Sequence, residues 1–253
     1  MTWSIVARDP ETGYLGVAVA SRFFAVGCAV PHIKGRVGAV ATQAFVSPLY
    51  GTDGLKMLEE GLAPEEVIRT LTLRDDGHRQ RQMHLIDASG RNAAFTGEIC
   101  VPWAGHLVDN NVSVAGNMLV GPQVIEETLK VYNERAASGA PLAERLLDAM
   151  EAGEAAGGDK RGRQSAAIVI YRDQDYPWLR IHADDHSEPL VELRRLYAVA
   201  QERFLHVAET MPTRENPHGM TDRHVIDERI AALEAARQEQ GRPSASFATP
   251  PKA

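Results

Sequence analysis

The chain has only two cysteines in 253 residues, Cys28 and Cys100. That is too few for a disulfide framework, and their spacing suits no zinc site. Both stand among apolar neighbours and read as buried small hydrophobes. No stretch is apolar for long enough to cross a bilayer, and no basic segment followed by an apolar run marks a secretion signal. The expected location is therefore cytoplasmic. A block of Lys and Arg is also missing, and the formal net charge is −7. Nucleic acid and anionic membrane are thus not expected as partners. Glycine patterns of the dinucleotide-binding type do not occur between a strand and a helix, so that fold is not expected either.

What is present is an ordinary globular composition, 44% hydrophobic and 24% charged, long enough for one large domain or two small ones. The first half is rich in short strand signals. Residues 3–7 and 14–20 read as a hairpin about the turn Asp9-Pro10-Glu11-Thr12-Gly13, where Pro presets φ and Gly accepts a positive one. Residues 28–32 and 37–42 read as a second hairpin. Helices are expected from about Tyr50 and again from Ala63-Pro64-Glu65-Glu66, where a first-turn proline and two acids mark a helix start. Strands return at 82–87, 92–96 and 111–117. A helix pair follows at 121–136 and 142–152, then strands at 165–171 and 178–182. Helix is expected again from Pro189 to about His206, and at 222–240. Blocks of antiparallel strands alternating with blocks of helices predict an α+β fold, a four-layer αββα sandwich. The expected division is a main domain over 1–206, a helical extension over 207–240 and a disordered tail over 241–253. The thin apolar stripe Val225, Ile226, Ile230 and Leu233 suits packing on a second subunit as well as on the chain's own core, and a homodimer is the expected assembly.

The residue with the most chemical promise is Thr2. Removal of the initiator Met before a small residue would leave Thr2 with a hydroxyl and a free α-amine. That amine has an ordinary pKa of roughly 7.7–8 and can serve as general base to its own Oγ. Asn117 ends a strand, where its amide could donate to an oxyanion or simply shape a turn. Gln43 closes a strand and could polarise a substrate amide. The loop 157–165 concentrates Asp159, Lys160, Arg161 and Arg163, a setting for a carboxylate or phosphate on a small-molecule substrate. His182, Asp184 and His186 would share a face on a strand, which invites a metal reading. They also precede a helix start, where acids and Ser satisfy open N–H groups, and capping is the favoured reading. His84 and His106 lack ligand spacing and read as structural.

The opening hairpin, Thr2 to Ala7 and then Gly16 to Arg22, resembles that of the N-terminal nucleophile hydrolases. Over residues 2 to about 196 the chain is similar to a bacterial family of unknown function, the 1028 family, usually placed with those hydrolases. The matching stretches are TWSIVARDPETGYLGVAVASRFFAVG, VGAVATQAFVSPLYGTDGL, AAFTGEICVPWAGH, VAGNMLVGP, GGDKRGRQSAAI and HADDHSEPLVELRRL. The resemblance implies an αββα fold and places Thr2 as nucleophile, with Ser21 and Arg22 as polar groups beside it. The acidic residue of the superfamily's second strand is replaced here by Ala20, and Lys34 lies in a turn. The expected activity is cleavage of an amide or related C–N bond in a small, carboxylated molecule, without metal or organic cofactor. A non-catalytic binding protein and a metal-dependent hydrolase built on residues 182–186 are the alternatives.

Overall fold

The computed structural model describes residues 2–249. Ten strands form two antiparallel sheets. The larger is built from β1 (Thr2–Arg8), β2 (Leu15–Ser21), β7 (Gly105–Asp109), β8 (Val112–Asn117), β9 (Ser165–Tyr171) and β10 (Pro177–Ala183), in the order β10-β9-β2-β1-β8-β7. The smaller holds β3 (Pro31–Lys34), β4 (Gly38–Ala44), β5 (Arg81–Asp87) and β6 (Asn92–Thr96), in that order. Helices α1 (Pro48–Glu59) and α2 (Pro64–Leu73) cover the outer face of the smaller sheet. Helices α3 (Gln123–Ala137) and α4 (Leu142–Ala155) cover the larger. With β1 and β2 packed on β4, the layers run αββα, as expected.

The local chemistry explains the elements. Asp9 accepts from the Glu11 N–H and the Thr12 hydroxyl, and Gly13 takes φ 75°, which closes the β1–β2 turn. Helices α1 and α2 each begin on a proline, whose missing N–H costs nothing there. Glu66 reaches back to the Ala63 N–H at 3.2 Å. Between the sheets, Val6, Val17, Val19, Ala39, Ala41 and Ile86 form a dry core. Gly153 lets the α3–α4 pair settle on β1. A Cβ there would lie 2.2 Å from Thr128 Oγ1 and 2.9 Å from Trp3 Nε1.

Two features differ from the sequence reading. Strand β7 was not anticipated, because it is a short, half-exposed edge strand with no apolar run to announce it. Cys28 is exposed, while Cys100 is buried. Cys28 closes a 3₁₀ turn (Val26–Cys28) rather than a strand, so its side chain escapes the interior.

By its contacts the chain divides into two compact units, with the boundary between Leu193 and Arg194 inside α5 (Pro189–Val199). The second unit contains a π-helical segment (Ala200–Phe204), α6 (Leu205–Ala208) and α7 (Arg223–Glu239). There Arg237 pairs with Glu202 at 2.6 Å, and Ile230 of the apolar stripe is buried. Ala245 is held by Glu202 and Arg195. Residues 250–253 of the expected tail lie outside the described residues, as does Met1. Among the described residues no helix is long and apolar enough to cross a membrane.

Candidate active site

Strand alternation aims Thr2, Ser4, Val6 and Arg8 at the facing sheet. Thr2 heads β1 in the middle of the larger sheet, in register with Ser21 on one side and Asn117 on the other. Its hydroxyl lies 3.1 Å from Ser21 Oγ. It borders a cavity of about 260 Å³ whose other walls include Phe23, Val30, Gln43, Ala44, Met118 and Arg161. Ala44 and Met118 have φ 68° and 55°, and Ala25, next to the lining residue Val26, has φ 52°. Left-handed backbone at residues with a Cβ costs on the order of 1–3 kcal/mol each and persists only where the surroundings enforce it. The Phe45 N–H bonds Gln80 O and the Met118 N–H bonds Val101 O. Arg81 also donates to Phe45 O at 2.5 Å while its Nε meets Asp75 Oδ2 at 2.7 Å. The Arg81 hydrogen bond holds the Asp75 carboxyl down at about 2, and burial with the Asp75 contact pushes the Tyr50 hydroxyl up.

Beneath Thr2 a buried polar network joins the two sheets. Asn117 Nδ2 donates to Gln82 Oε1 at 3.0 Å and, more weakly, to the Thr2 carbonyl at 3.4 Å. Gln43 Nε2 donates to the same Gln82 oxygen at 2.9 Å and to Ala115 O. Ser4 donates to Gln43 Oε1 at 2.6 Å, so its hydroxyl oxygen accepts from His84 Nε2 at 2.8 Å. That leaves His84 Nδ1 to accept from Ser113 Oγ at 2.8 Å. Burial, with nearby His106, lowers His84 to about 3, so the ring is neutral at ordinary pH. Gln82 Nε2 reaches Thr96 Oγ1 and the Gly116 carbonyl, and Thr96 continues to His106.

Thr2, Ser21, Asn117, Gln43 and Arg161 are thus brought together at one end of the sandwich. Arg22 lies beside them but is exposed, and its backbone N–H donates to Asp159 Oδ2 at 2.9 Å. Asp159 is buried and turned inward. It accepts from the Arg161 N–H at 2.8 Å and pairs with the Arg161 guanidinium at 3.2 Å, so it holds Arg161 at the cavity wall. Arg163 goes elsewhere. It bridges Glu154 and Glu188 and borders a separate cavity against α4 and the start of α5. The 182–186 segment does not converge on a point. His186 Nδ1 accepts from the Glu188 N–H, and Asp185 accepts from Gln164. Among the described residues no group of three or more His, Cys, Asp or Glu side chains is placed to hold a metal ion.

The sequence reading did not single out Ser4, Gln82 or Ser113, and it treated His84 alone. The signal was there: Gln82 and His84 are polar residues two apart in the otherwise apolar strand β5, a pattern that aims both at one face. Ala44 and Met118 carried no signal, because an alanine or methionine at positive φ looks like any other.

A family model described as a family of unknown function (DUF1028) matches residues 2–193, three quarters of the chain. The chain belongs to this family. A DUF1028 protein of solved structure, SPO2555 from Silicibacter pomeroyi, is 31% identical with a TM-score of 0.80. The match covers 87% of this chain and 96% of that one. Anbu, the ancestral beta-subunit from Yersinia bercovieri, is 13% identical with a TM-score of 0.36, over 84% of this chain and 99% of its own. Among curated proteins none matches.

Proposed function

We propose that this DUF1028 protein is an amidohydrolase that cleaves a C–N bond in a small carboxylated molecule through Thr2. The observation that carries the reading is the Thr2 hydroxyl at the head of a central strand, beside Ser21 Oγ and on the wall of a cavity large enough for a small substrate. The mechanism requires removal of Met1. Thr2 Oγ then attacks the substrate carbonyl carbon while its proton passes to the Thr2 amine. The C–N bond breaks as that proton moves to the leaving nitrogen, and water hydrolyses the resulting ester. Ser21 orients the Thr2 hydroxyl. Asn117 exchanges its weak 3.4 Å bond to the Thr2 carbonyl for the oxyanion, while its bond to Gln82 keeps the amide in place. Arg161, braced by Asp159, pairs with the substrate carboxylate.

The test is mass spectrometry of the native protein before and after treatment with a β-lactone electrophile. The expected result is a chain beginning at Thr2 that gains one adduct on that residue, with Thr2→Ser still labelled and Thr2→Ala unlabelled. Quantitative retention of Met1, or labelling that survives in Thr2→Ala, overturns the reading.

A further inference from the structure

The mouth of the Thr2 cavity is rimmed with hydrocarbon. Phe23, on the cavity wall, is 57% exposed, and the lining residues Ala29, Ala44, Val46 and Met118 are half-buried. Phe45 stands between Ala44 and Val46 and is 66% exposed. Backbone hydrogen bonds continue the rim from there. The Phe45 N–H bonds Gln80 O at 3.1 Å, and the adjacent Arg79 O accepts the Ile99 N–H at 2.9 Å. Val101 O accepts the Met118 N–H at 2.9 Å, and the Val120 N–H bonds Gly158 O. Ile99, Val101 and Val120 are all about half exposed. Apolar surface gathered round a cavity in this way marks a ligand-binding groove.

The polar side chains on the cavity wall are those of Thr2, Gln43 and Arg161. Gln43 has nothing left to donate, since its two N–H groups go to Gln82 Oε1 and Ala115 O. Arg161 is held by Asp159. Away from Arg161, a polar chain on the substrate would lose its water against these walls and gain no side-chain donor in exchange. A hydrocarbon chain gains by leaving water.

We propose that the substrate is an N-acylated amino acid with an unbranched hydrocarbon acyl chain, running from the cavity over the rim of Phe23 and Phe45. This assignment rests on Thr2 as the nucleophile and on Arg161 meeting the carboxylate, as in the hydrolase reading. In that chemistry the amine departs first and the acyl group stays on Thr2 Oγ as the ester. The apolar walls thus hold the part that must remain, and exposed Arg161 the part that leaves. At about 260 Å³ the cavity is at the small end of ligand sites, so a chain longer than a few carbons reaches the rim.

The test is calorimetric titration of full-length Thr2→Ala, which cannot turn the probes over. The probes are N-acetylglycine, N-butyrylglycine, N-hexanoylglycine and N-octanoylglycine. Affinity is expected to rise about twofold to fourfold per methylene. N-adipoylglycine, whose six-carbon chain ends in a carboxylate, should bind at least about tenfold more weakly than the hexanoyl compound. Phe23→Ser and Phe45→Ser in the same protein should each weaken octanoyl binding about fivefold and leave acetyl binding unchanged. Both side chains are exposed, so the fold does not depend on them. Val108→Ser, half exposed toward the other end of the larger sheet, should change nothing. The proposal falls if no probe binds, if the series is flat, or if the adipoyl compound matches the hexanoyl one. It also falls if both Phe variants keep the parent's dependence on chain length, or if Val108→Ser weakens octanoyl binding as they do. A rising series in a protein whose Thr2 the β-lactone never labels refutes the hydrolase and leaves this class of ligand. A flat series in a protein whose Thr2 is labelled refutes the ligand class alone.

Discussion

His84 shows how much one buried side chain can contribute to the response to acid. Its ring bonds Ser4 and Ser113 across the sheets, and burial lowers its pKa from 6.5 to about 3. In the unfolded chain it returns to the ordinary value. Between pH 6.5 and 3 the unfolded state therefore holds a proton that the folded state lacks. Stability rises with pH across that window and falls as pH drops through it, by up to about 1.4 kcal/mol per pH unit for one proton. His32, His106 and His182 are also lowered, chiefly by burial, and act in the same direction. Thermal melts between pH 7 and 4 should show a falling midpoint, and His84→Gln should flatten the slope while lowering stability at pH 7. An unchanged slope in the variant would assign the acid sensitivity to other groups.

Among the elements, the α3–α4 pair fixes where β1 lies and hence where Thr2 stands. Gly153 faces Thr128 and Trp3, with no room for a methyl group. Gly153→Ala is expected to cost about 1–3 kcal/mol in urea unfolding. Adding Thr128→Ala removes the nearest obstacle, so the double variant should be less destabilised than the sum of the two singles. Strict additivity would show that the crowding does not limit the packing. On the smaller sheet, the Asp75–Arg81 pair steadies the strained segment at Ala44 and Phe45. Arg81→Met should raise the Asp75 carboxyl from about 2 toward the ordinary range, readable by carboxyl NMR titration. It should also loosen the cavity wall, seen as faster hydrogen exchange at the Phe45 amide.

At the scale of the whole chain, the family match ends at residue 193, where the first compact unit also ends. Between α6 and α7, residues 209–222 are largely exposed and contain no regular element. Brief trypsin treatment should cut there first, at Arg214, and leave the fragment holding the first unit intact by mass spectrometry. First cleavage within residues 157–163 instead would show that the arginine loop beside Thr2 is the less protected segment.

Most strands, the helix starts and the layered class were legible in the chain because each rests on local patterning, whereas the half-exposed edge strand β7 was not. Pro64 with Glu65 and Glu66 opens a helix, and Asp9 with Gly13 closes a turn. Thr2 was legible too, since its chemistry depends on its own hydroxyl and its place in the chain. Ser21, Gln43 and Asn117 were candidates too, but the network that ties Gln43 and Asn117 to Gln82, Ser4 and His84 was not legible. Gln43 on β4, Gln82 and His84 on β5 and Asn117 on β8 come from three strands far apart in sequence, and only the packing of the sheets brings their amides and ring within 3 Å of a partner. The same holds for charge. Arg161 and Arg163 are two residues apart, yet Asp159 draws one to the Thr2 cavity while Glu154 and Glu188 hold the other away. Sequence determines what each segment can form, because propensity and patterning act over a few residues. Long-range pairing decides which side chains meet, because it follows from how the two sheets face each other.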